Sequence, residues 1–595
     1  MNNGREDART DRTPLTLQKP MSRRGLLQGA AALVGTTAAS AAVTPAARGS
    51  HNEDSHNKGG AAGQPGQATK SPIVASAEVA MVETTAGKVR GYVSNGIYTY
   101  KGIPYGDTTA GSGRYQPPQK AKPWTGIRSS MQYGRVCPQG PRGSWNADEE
   151  SWLFLYDDGV QGEDCLRVNV WTPGLDRQKR PVMVWLHGGG FVSGSSQEHR
   201  SYDGERLSRR GDVVVVSMNH RLGPLGFLNL TAYGEKYAAS AHLGMLDIIA
   251  ALEWVRDNIA NFGGDPGNVT IFGQSGGGGK VGNLMAMPAA QGLFHRAIVQ
   301  SGSFLRAVTP DRSAILTQAM LDELNLSASQ VDQLQTIPLL KVIEAGDAAL
   351  LKTHPHGPLV WSRVADQLGW GPVMDGKLLP QHPFDPAAPA ISVRVPMLIG
   401  TTLNEFTTSL NHPEYESMTE AEVEKRLGSM YGDGPERIVQ VFRATHPEAK
   451  PFDIFSLAMT AQVRQGSVIQ ATRKTAQGTP AYLYWFTWKT PVLDGRPRSI
   501  HCCELPFCFD NTDRSENLTG GGPAPRELAA TVSDAWIQFA RSGNPNHHGL
   551  PNWPAFSAES CPTMIFDTEC KMQNNPDKEE RQALAMTPPF QGFSS

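Results

Sequence analysis

The chain has 595 residues and a formal net charge of −2 at pH 7, a balance that excludes the strongly basic surface of nucleic-acid-binding proteins. Its length exceeds that of a usual single domain, although α/β folds often form one unit of this size, and it is ample for a large core. Only 19% of the residues are charged, whereas 62 are glycine and 43 are proline. This composition suits a large, loop-rich fold.

The first residues indicate an export signal. Residues 22–27, Ser-Arg-Arg-Gly-Leu-Leu, fit the twin-arginine pattern and precede a mildly apolar run that ends in an A-x-A cleavage site. That run is too poor in Leu, Ile and Phe for a permanent membrane span. We predict a twin-arginine signal peptide within residues 1–47, a mature protein beginning at or soon after Ala42, and a periplasmic or extracellular location without membrane attachment. Met1 and Met21 are alternative starts.

A change of composition follows the signal. Residues 48–77 are rich in Gly, Asn, His, Gln and Ser and have little to bury, which predicts a disordered linker. We therefore expect the folded domain to span residues 78–595. It opens with Val82–Gly91, whose alternating pattern predicts a strand with a turn at Ala86-Gly87.

Buried strands and a long helix are predicted in the next part of the chain. Pro181–Leu186 and Asp212–Ser217 are continuous apolar runs of strand length, and Met245–Asn261 has the 3.6-residue period of a helix. The first strand runs into His187-Gly-Gly-Gly190, where glycines let backbone N–H groups approach a substrate oxygen closely. A flexible loop is the alternative interpretation.

Residues 268–280 predict a buried strand, a sharp turn and a helix. Val269–Phe272 is β-branched and aromatic, and Gly273-Gln-Ser-Gly-Gly277 fits G-x-S-x-G, the nucleophile elbow. A strand that turns directly into a helix strains its apex residue, and side chains two positions before and after the apex would collide. The pattern predicts that Ser275 lies above the sheet at a helix N-terminus. A plain glycine turn is the alternative.

Three further segments follow the elbow. Leu293–Ser303 predicts the next strand and its exit. Residues 305–382 are mostly helical in pattern, and we expect an insertion there that caps the mouth of a pocket. Near the end of the chain, Arg526–Arg541 predicts an amphipathic helix.

Two titratable residues follow predicted strands and are candidates to activate Ser275. A serine hydroxyl needs a base within hydrogen-bond reach and an acid that orients the base, and with this elbow the chain order is Ser, Asp or Glu, then His. Glu405 follows the strand Pro396–Gly400, although an exposed loop glutamate is the alternative. His501 follows the strand Ala481–Trp488 by a loop.

The same histidine begins a run of metal-ligand residue types. Their spacing fits no common zinc pattern, and the chain has no second paired half. We therefore predict no metal site at this run, which consists of His501, Cys502, Cys503, Glu504 and Cys508.

Longer motifs, in order along the chain, carry a resemblance. They are the elbow, the histidine run with Leu505-Pro-Phe507, Gly162-Glu-Asp-Cys-Leu166, Asn219-His-Arg-Leu-Gly-Pro-Leu-Gly-Phe227 and Phe262-Gly-Gly-Asp-Pro266. From about residue 80 to 570 the chain resembles the type-B carboxylesterase family, which also holds the cholinesterases. The resemblance implies a single α/β-hydrolase fold, with a mostly parallel central sheet flanked by helices and helical insertions capping the active-site gorge.

The resemblance also implies a function and a site. A serine carboxylesterase of this kind cleaves a small-molecule ester through an acyl-enzyme and uses neither a metal nor an organic cofactor. The implied residues are the nucleophile Ser275, the base His501, the acid Glu405, and the oxyanion-hole N–H donors Gly189, Gly190 and Gly276. The chain departs from the family pattern at Gln274 and Gly276, where Glu and Ala are common, and at Asn404 and Phe406, where Asp and Gly are common.

Further implied features are structural. They comprise a Cys137–Cys165 disulfide, the ion pairs Arg114–Glu163 and Arg221–Asp247, a structural role for His187, a turn role for Asp375, and a Ser301 hydroxyl behind the triad, for which a simple strand-end hydroxyl is the alternative. The pairing of the other cysteines stays open, as at Cys502, Cys503, Cys508, Cys561 and Cys570.

Two alternative functions remain from the residues alone. Non-catalytic adhesion proteins share this fold but typically lack a triad residue, whereas all three are present here. The same triad also cleaves carbamates, amides and thioesters. Neither the natural substrate nor the oligomeric state follows from the sequence.

Overall fold

A 12-stranded sheet runs through the part of the chain that the computed structural model describes, residues 72–140, 148–354, 369–431 and 435–586. The predicted signal peptide within residues 1–47, and all of the predicted linker before residue 72, lie outside the described residues.

Strands coincide with or overlap each predicted apolar run and are present elsewhere too, although the one before Ser275 begins at Gly264, five residues before the predicted Val269. They are β1 (Ile73–Val74), β2 (Met81–Thr84), β3 (Gly87–Arg90), β4 (Tyr92–Ser94), β5 (Ile97–Pro104), β6 (Ile127–Ser129), β7 (Arg167–Thr172), β8 (Arg180–Leu186), β9 (Val214–Met218), β10 (Gly264–Gln274), β11 (Arg296–Gln300), β12 (Met397–Thr402), β13 (Ala481–Phe486), β14 (Pro562–Phe566) and β15 (Lys571–Asn574).

The large sheet has the strand order β1-β4-β5-β7-β9-β8-β10-β11-β12-β13-β14-β15. From β9 to β14 every neighbouring pair is parallel, and the strands outside this run pair antiparallel. A smaller sheet joins β2, β3 and β6. This is the mostly parallel central sheet that the resemblance implied.

The helices cover both faces of the sheet. They are α1 (Asp148–Phe154), α2 (Glu205–Gly211), α3 (Gly223–Phe227), α4 (Leu243–Asn258), α5 (Gly276–Leu284), α6 (Pro310–Glu323), α7 (Leu339–Thr353), α8 (Glu420–Tyr431), α9 (Pro435–Thr445), α10 (Pro451–Thr475), α11 (Leu505–Cys508), α12 (Glu516–Thr519), α13 (Pro523–Ser542) and α14 (Lys578–Ala585). The helical insertion predicted over 305–382 contains α6 and α7; residues 355–368 of it lie outside the described part.

The core lies on both sides of the parallel strands. In β8, Val182 and Val184 pack into one apolar cluster together with α4, whereas Met183 and Trp185 pack into a second cluster together with α13. Successive side chains of a strand point to opposite faces, so a strand buried on both faces is a continuous apolar run. This explains why β8 and β9 show no alternation in the sequence.

The run Glu235–Phe262, which contains α4, is the one helical stretch of the described residues that is long and apolar enough to cross a membrane. In the fold, 72% of its most apolar window is buried. Its apolar surface is therefore used in the core.

The structure differs from the sequence prediction at the start of the domain. Strand β1 lies inside the stretch predicted as linker, where Ile73 and Val74 pair with Ser94 and Val93. The predicted turn at Ala86-Gly87 lies one residue earlier, so that Gly87 already begins β3. Strand β1 was missed because its pairing partner lies elsewhere in the chain, which local pattern does not indicate. Gly87 instead pairs with Thr84 across the turn, which leaves Thr85 and Ala86 as the turn residues.

Candidate active site

The candidate site lies at the carboxyl edge of the parallel strands. Strand β8 ends at Leu186, β10 ends at Gln274 and β12 ends at Thr402, so that the predicted oxyanion loop, nucleophile and acid each follow a strand directly. A backbone bridge between Glu405 and Ile500 brings the loop after β13 to the same edge. Ligands of open α/β sheets bind at this edge.

The elbow has the strained geometry that its sequence predicts. Ser275 has φ 56° and ψ −125°, and α5 begins at the next residue. A Cβ atom on Gly273 would lie 2.5 Å from the carbonyl carbon of Gly277, and one on Gly277 would lie 2.0 Å from the carbonyl oxygen of Leu186. Only glycine fits at either position, as the elbow pattern predicts.

Glu405 and His501 form a buried pair. The Nδ1–H of His501 donates to Oε2 of Glu405, and the main-chain N–H of His501 donates to the carbonyl of Glu405 over 2.8 Å. Each residue is only 1% exposed. The alternative of an exposed loop glutamate is therefore wrong.

The other carboxylate oxygen of Glu405 is held from behind. Its Oε1 accepts hydrogen bonds from the hydroxyl of Ser301 over 2.7 Å and from the N–H of Thr402 over 3.0 Å. These donors compensate for the loss of water around a buried charge. The contact that the resemblance implied for Ser301 is confirmed, and the interpretation as a simple strand-end hydroxyl is wrong.

The second ring nitrogen of His501 contacts the residue before the nucleophile. The amide nitrogen of Gln274 lies 3.0 Å from Nε2 of His501, and the thiol of Cys502 donates to Oε1 of Gln274 over 3.2 Å. With Nδ1–H bonded to a carboxylate, Nε2 is the acceptor of this amide. The contact therefore favours the neutral tautomer with its lone pair directed at the elbow, which sequence reasoning missed.

Phe406 covers the imidazole of His501. Their ring centroids are 3.9 Å apart with an interplanar angle of 31°, and Phe406 remains 38% exposed. The sequence showed that Phe406 replaces the glycine common in the family pattern, but it did not show that this side chain contacts His501. An aromatic ring at this position shields one face of the histidine from water.

The glycine loop after β8 packs against the elbow. Gly189 and Gly190 have φ values of 78° and 63°, and a Cβ on Gly188 would lie 3.5 Å from the Cβ of Ser275. Gly276 is the first residue of α5, where the N–H has no acceptor within the helix. The three predicted oxyanion donors thus lie on two segments that meet at the serine.

His187 lies beneath this loop. It is buried, its Nδ1 lies 3.0 Å from the carbonyl oxygen of Gly188, and its ring stacks on His220 with centroids 4.8 Å apart. These contacts agree with the structural role that the resemblance implied.

An apolar wall adjoins the loop. Phe191 follows Gly190 directly, and its ring centroid lies 6.4 Å from that of Phe304. The wall continues with Ala307, Val308 and Trp370. Together with the polar side chains of Asn283 and Arg306, it lines a small cavity beside the oxyanion loop.

The thiols near His501 face different partners. Cys502 donates to Gln274, Cys503 contacts the hydroxyl of Ser499 at 3.6 Å, and Cys508 accepts from the amide of Gln300 over 3.4 Å. Within the described ranges, no three His, Cys, Asp or Glu side chains converge as metal ligands would.

The seven cysteines are free thiols in the structure. Cys137 and Cys165 are both buried. The pKa of the Cys165 thiol is raised, first by its hydrogen bond with Cys137 and second by burial. Their proximity agrees with the predicted pairing, which stays a prediction.

Both predicted ion pairs are confirmed. Arg114 donates to both carboxylate oxygens of Glu163 over 2.7 Å, and Arg221 donates to Asp247 over 2.7 and 2.9 Å. The Arg114–Glu163 pair joins the loop that follows β5 to the loop that precedes β7. The Arg221–Asp247 pair joins the segment after β9 to helix α4.

The fold and this site define an α/β-hydrolase: a mostly parallel sheet carries a serine at a strained strand–helix turn on its carboxyl edge. A family model described as the carboxylesterase family matches residues 78–584. The chain belongs to the carboxylesterase family, and it is a carboxylic ester hydrolase like its relatives.

Among known proteins, the chain is 35% identical to the para-nitrobenzyl esterase of Bacillus subtilis (strain 168), over 85% of this chain and 98% of that protein. It is 32% identical to the phenmedipham hydrolase of Pseudarthrobacter oxydans, over 82% and 95% of the two chains. A solved Geobacillus stearothermophilus carboxylesterase superposes with a TM-score of 0.71 at 34% identity, over 85% of this chain and 100% of that one.

Proposed function

We propose that this carboxylesterase works through a catalytic triad of Ser275, His501 and Glu405. The observation that carries the proposal is the buried hydrogen bond from Nδ1–H of His501 to Glu405, at the edge where the elbow presents Ser275. A base oriented in this way directs its other nitrogen, Nε2, toward the elbow, where it contacts Gln274 beside Ser275. From there it can take the serine proton once the amide contact is given up.

The reaction proceeds in two halves. The Ser275 oxygen attacks the carbonyl carbon of the ester while His501 takes the hydroxyl proton, and the same proton then passes to the departing alcohol. Water then attacks the acyl-enzyme and gives a proton to His501. His501 passes this proton to the Ser275 oxygen as the acyl bond breaks, which releases the carboxylic acid and regenerates the serine. Glu405 stabilises the imidazolium in both halves. None of these steps calls for a metal or an organic cofactor.

The oxyanion of each tetrahedral intermediate is held by the N–H groups of Gly189, Gly190 and Gly276. One such donor is typically worth about 2.7–4 kcal/mol in the transition state. The positive φ values of Gly189 and Gly190 support this role, since they turn the loop backbone in a way that L side chains rarely allow.

The substrate is a small-molecule carboxylic ester. The name of one relative, para-nitrobenzyl esterase, indicates an aryl-bearing ester as the substrate of that protein. The apolar wall of Phe191, Phe304 and Trp370 supports an apolar group in the substrate of this chain as well.

The first experiment measures hydrolysis of p-nitrophenyl acetate by the mature protein, with and without an organophosphate. Wild type is expected to turn over and to lose activity on stoichiometric labelling at Ser275, located by peptide mass spectrometry. Ser275→Ala should retain the fold and lose at least roughly 10,000-fold in kcat. Near-wild-type activity in Ser275→Ala would defeat the proposal, and a folded wild type with neither turnover nor labelling would favour a non-catalytic binding protein.

We also propose that the protein is exported by the twin-arginine route and that Cys137 and Cys165 then form a disulfide. The bond would stabilise the fold by roughly 3–4 kcal/mol on the chain-entropy model. Thiol alkylation before and after reduction, followed by mass spectrometry of the secreted protein, should show these two cysteines protected until reduction. Edman sequencing of the same sample should find an N-terminus at or soon after Ala42.

A further inference from the structure

A lysine is buried directly behind the oxyanion loop. Lys280 lies in α5, the helix that begins after Ser275, and its side chain is 0% exposed. Its Nζ donates to the carbonyl oxygen of His187 over 2.9 Å and to that of Gly188 over 3.4 Å. Buried lysines are rare unless their charge is compensated, and the proposed mechanism gives this one no role.

The ammonium group is directed at main-chain oxygens of the loop. The titratable groups around it are Glu198, whose charge acts on it, and the stacked pair of His187 and His220. Burial and the charge of Lys280 hold the pKa of His220 well below its usual value. The ammonium group of Lys280 thus lies within hydrogen-bond distance of the carbonyl oxygens of His187 and Gly188.

The peptide geometry links this contact to catalysis. The carbonyl of Gly188 and the N–H of Gly189 belong to one planar trans peptide, in which they point in opposite directions. An ammonium group bound to the Gly188 oxygen therefore fixes the direction of the Gly189 N–H, and it polarises that peptide so that the N–H becomes a stronger donor.

The loop needs such an anchor because its glycines carry no side chains. On its far side, the carbonyl oxygen of Gly189 accepts from the N–H groups of Val192 and Ser193, over 3.2 and 3.0 Å. On its near side, the Gly188 oxygen contacts Nδ1 of His187 at 3.0 Å and Nζ of Lys280 at 3.4 Å. The Gly188–Gly190 segment is thus held from both directions.

We propose that Lys280 is a positioning residue of the oxyanion hole, whose buried ammonium group orients and polarises the Gly188–Gly189 peptide. The inference rests on the proposed function, because it assigns the Gly189 N–H to the oxyanion.

A consequence is a dependence of activity on pH. Burial lowers the pKa of Lys280 from 10.5 to about 7, against the opposing charge of Glu198. As pH rises through this value the ammonium becomes a neutral amine, which still donates hydrogen bonds but no longer polarises the peptide. The rate constant kcat should therefore fall on the alkaline side.

Replacing Lys280 with methionine tests the inference, with Lys474→Met as the matched control. Lys474 is also 0% exposed, donates to the carbonyl of Ser392, and has a pKa lowered to about 8 by burial, but it lies at the end of α10. Lys280→Met should lower kcat by roughly 10- to 100-fold, less than the removal of an oxyanion donor itself, with KM little changed. Lys474→Met should leave kcat unchanged.

The pH profile separates a catalytic effect from a structural one. Wild type and Lys474→Met should show a falling alkaline limb, which Lys280→Met should lack. Lys280→Gln, which keeps a donor without charge, should also lack the limb while retaining more of kcat. Should the methionine variant fail to fold, the glutamine variant and the wild-type affinity for a trifluoromethyl ketone, expected to weaken above about pH 7, carry the test.

Two results would overturn the inference. One is a folded Lys280→Met or Lys280→Gln variant with the kcat and pH profile of wild type; the other is an equal loss in Lys474→Met. Absence of turnover and of Ser275 labelling in wild type would instead refute the proposed function, so the two failures are distinguishable.

Discussion

The amide nitrogen of Gln274 lies 3.0 Å from Nε2 of His501. The residue before the nucleophile therefore contacts the nitrogen that the triad mechanism uses as a base. Because glutamine is neutral, it donates to the lone pair of the imidazole without adding a charge. The family pattern that the chain resembles commonly has glutamate at this position, so the pair offers a direct comparison of a neutral and an anionic neighbour.

Gln274→Glu should move the acidic limb of the pH–rate profile to higher pH. A carboxylate at this distance from Nε2 stabilises the imidazolium, so a more alkaline solution is needed to form the neutral base. The measurement is kcat/KM for p-nitrophenyl acetate between pH 5 and 9. An unchanged acidic limb would show that this contact does not influence the titration of the base.

Ser301→Ala should lower kcat by roughly 10-fold or more, because a hydrogen bond to a charged group contributes about 1.5–3 kcal/mol and its loss leaves Glu405 less well held. Ser303→Ala is the control, since its hydroxyl bonds to Ser467 at 2.9 Å instead of to the triad. The measurement is kcat of both variants by steady-state kinetics with p-nitrophenyl acetate. Equal kinetics would refute a role of the Ser301 contact in positioning Glu405.

Gly276→Ala, which introduces the residue common in the family pattern that the chain resembles, should lower activity here. The new Cβ would lie 2.1 Å from the carbonyl oxygen of Gly190, so the oxyanion loop would have to shift. Gly282→Ala in the same helix is the control; its Cβ would approach no atom closer than 3.8 Å, and it should stabilise the fold by about 0.5–1 kcal/mol. Thermal melts and kcat of the two variants provide the comparison. Full activity in Gly276→Ala would show that the loop accommodates the methyl group at no cost.

Glu504 should make the fold less stable as pH rises. Burial, with a smaller contribution from the charge of Glu405, raises the pKa of Glu504 from 4.5 to about 8. The folded state thus binds the proton more tightly than the unfolded state, so stability present below pH 4.5 is lost as pH rises to about 8, at up to about 1.4 kcal/mol per pH unit from this group.

Glu504→Gln should remove this contribution, because its side chain is neutral at every pH. Urea denaturation of wild type and variant at pH 5, 6.5 and 8 measures the difference. The variant should gain relative to wild type as pH rises. A constant difference across the three values would contradict the raised pKa.

The sequence predicted much of the fold because long apolar runs and turn residues act locally. The strand before Glu405 and the helix α4 were found to within about three residues of their true bounds, whereas the strand before Ser275 begins at Gly264 and not at the predicted Val269. The edge strand β1 was missed because its own two residues give no indication that they pair with β4.

The candidate site likewise has features that the sequence predicted and features that it did not. The elbow glycines and the glycine loop after β8 were recognisable from sequence, because backbone geometry permits few residues there. The contact of Phe406 with His501, the donation of Cys502 to Gln274 and the position of Lys280 behind Gly188 were not. Each joins side chains or backbone from segments far apart in the chain.

The sequence by itself determined which residue types this protein offers for ester chemistry, since a strained turn and a close backbone approach demand glycine and serine at set spacings. Only the tertiary structure decided what surrounds them: which nitrogen of His501 meets Gln274, which oxygens of Glu405 are held, and which carbonyls receive the charge of Lys280. Distances between strand ends and helix faces set those contacts, and no local pattern encodes them.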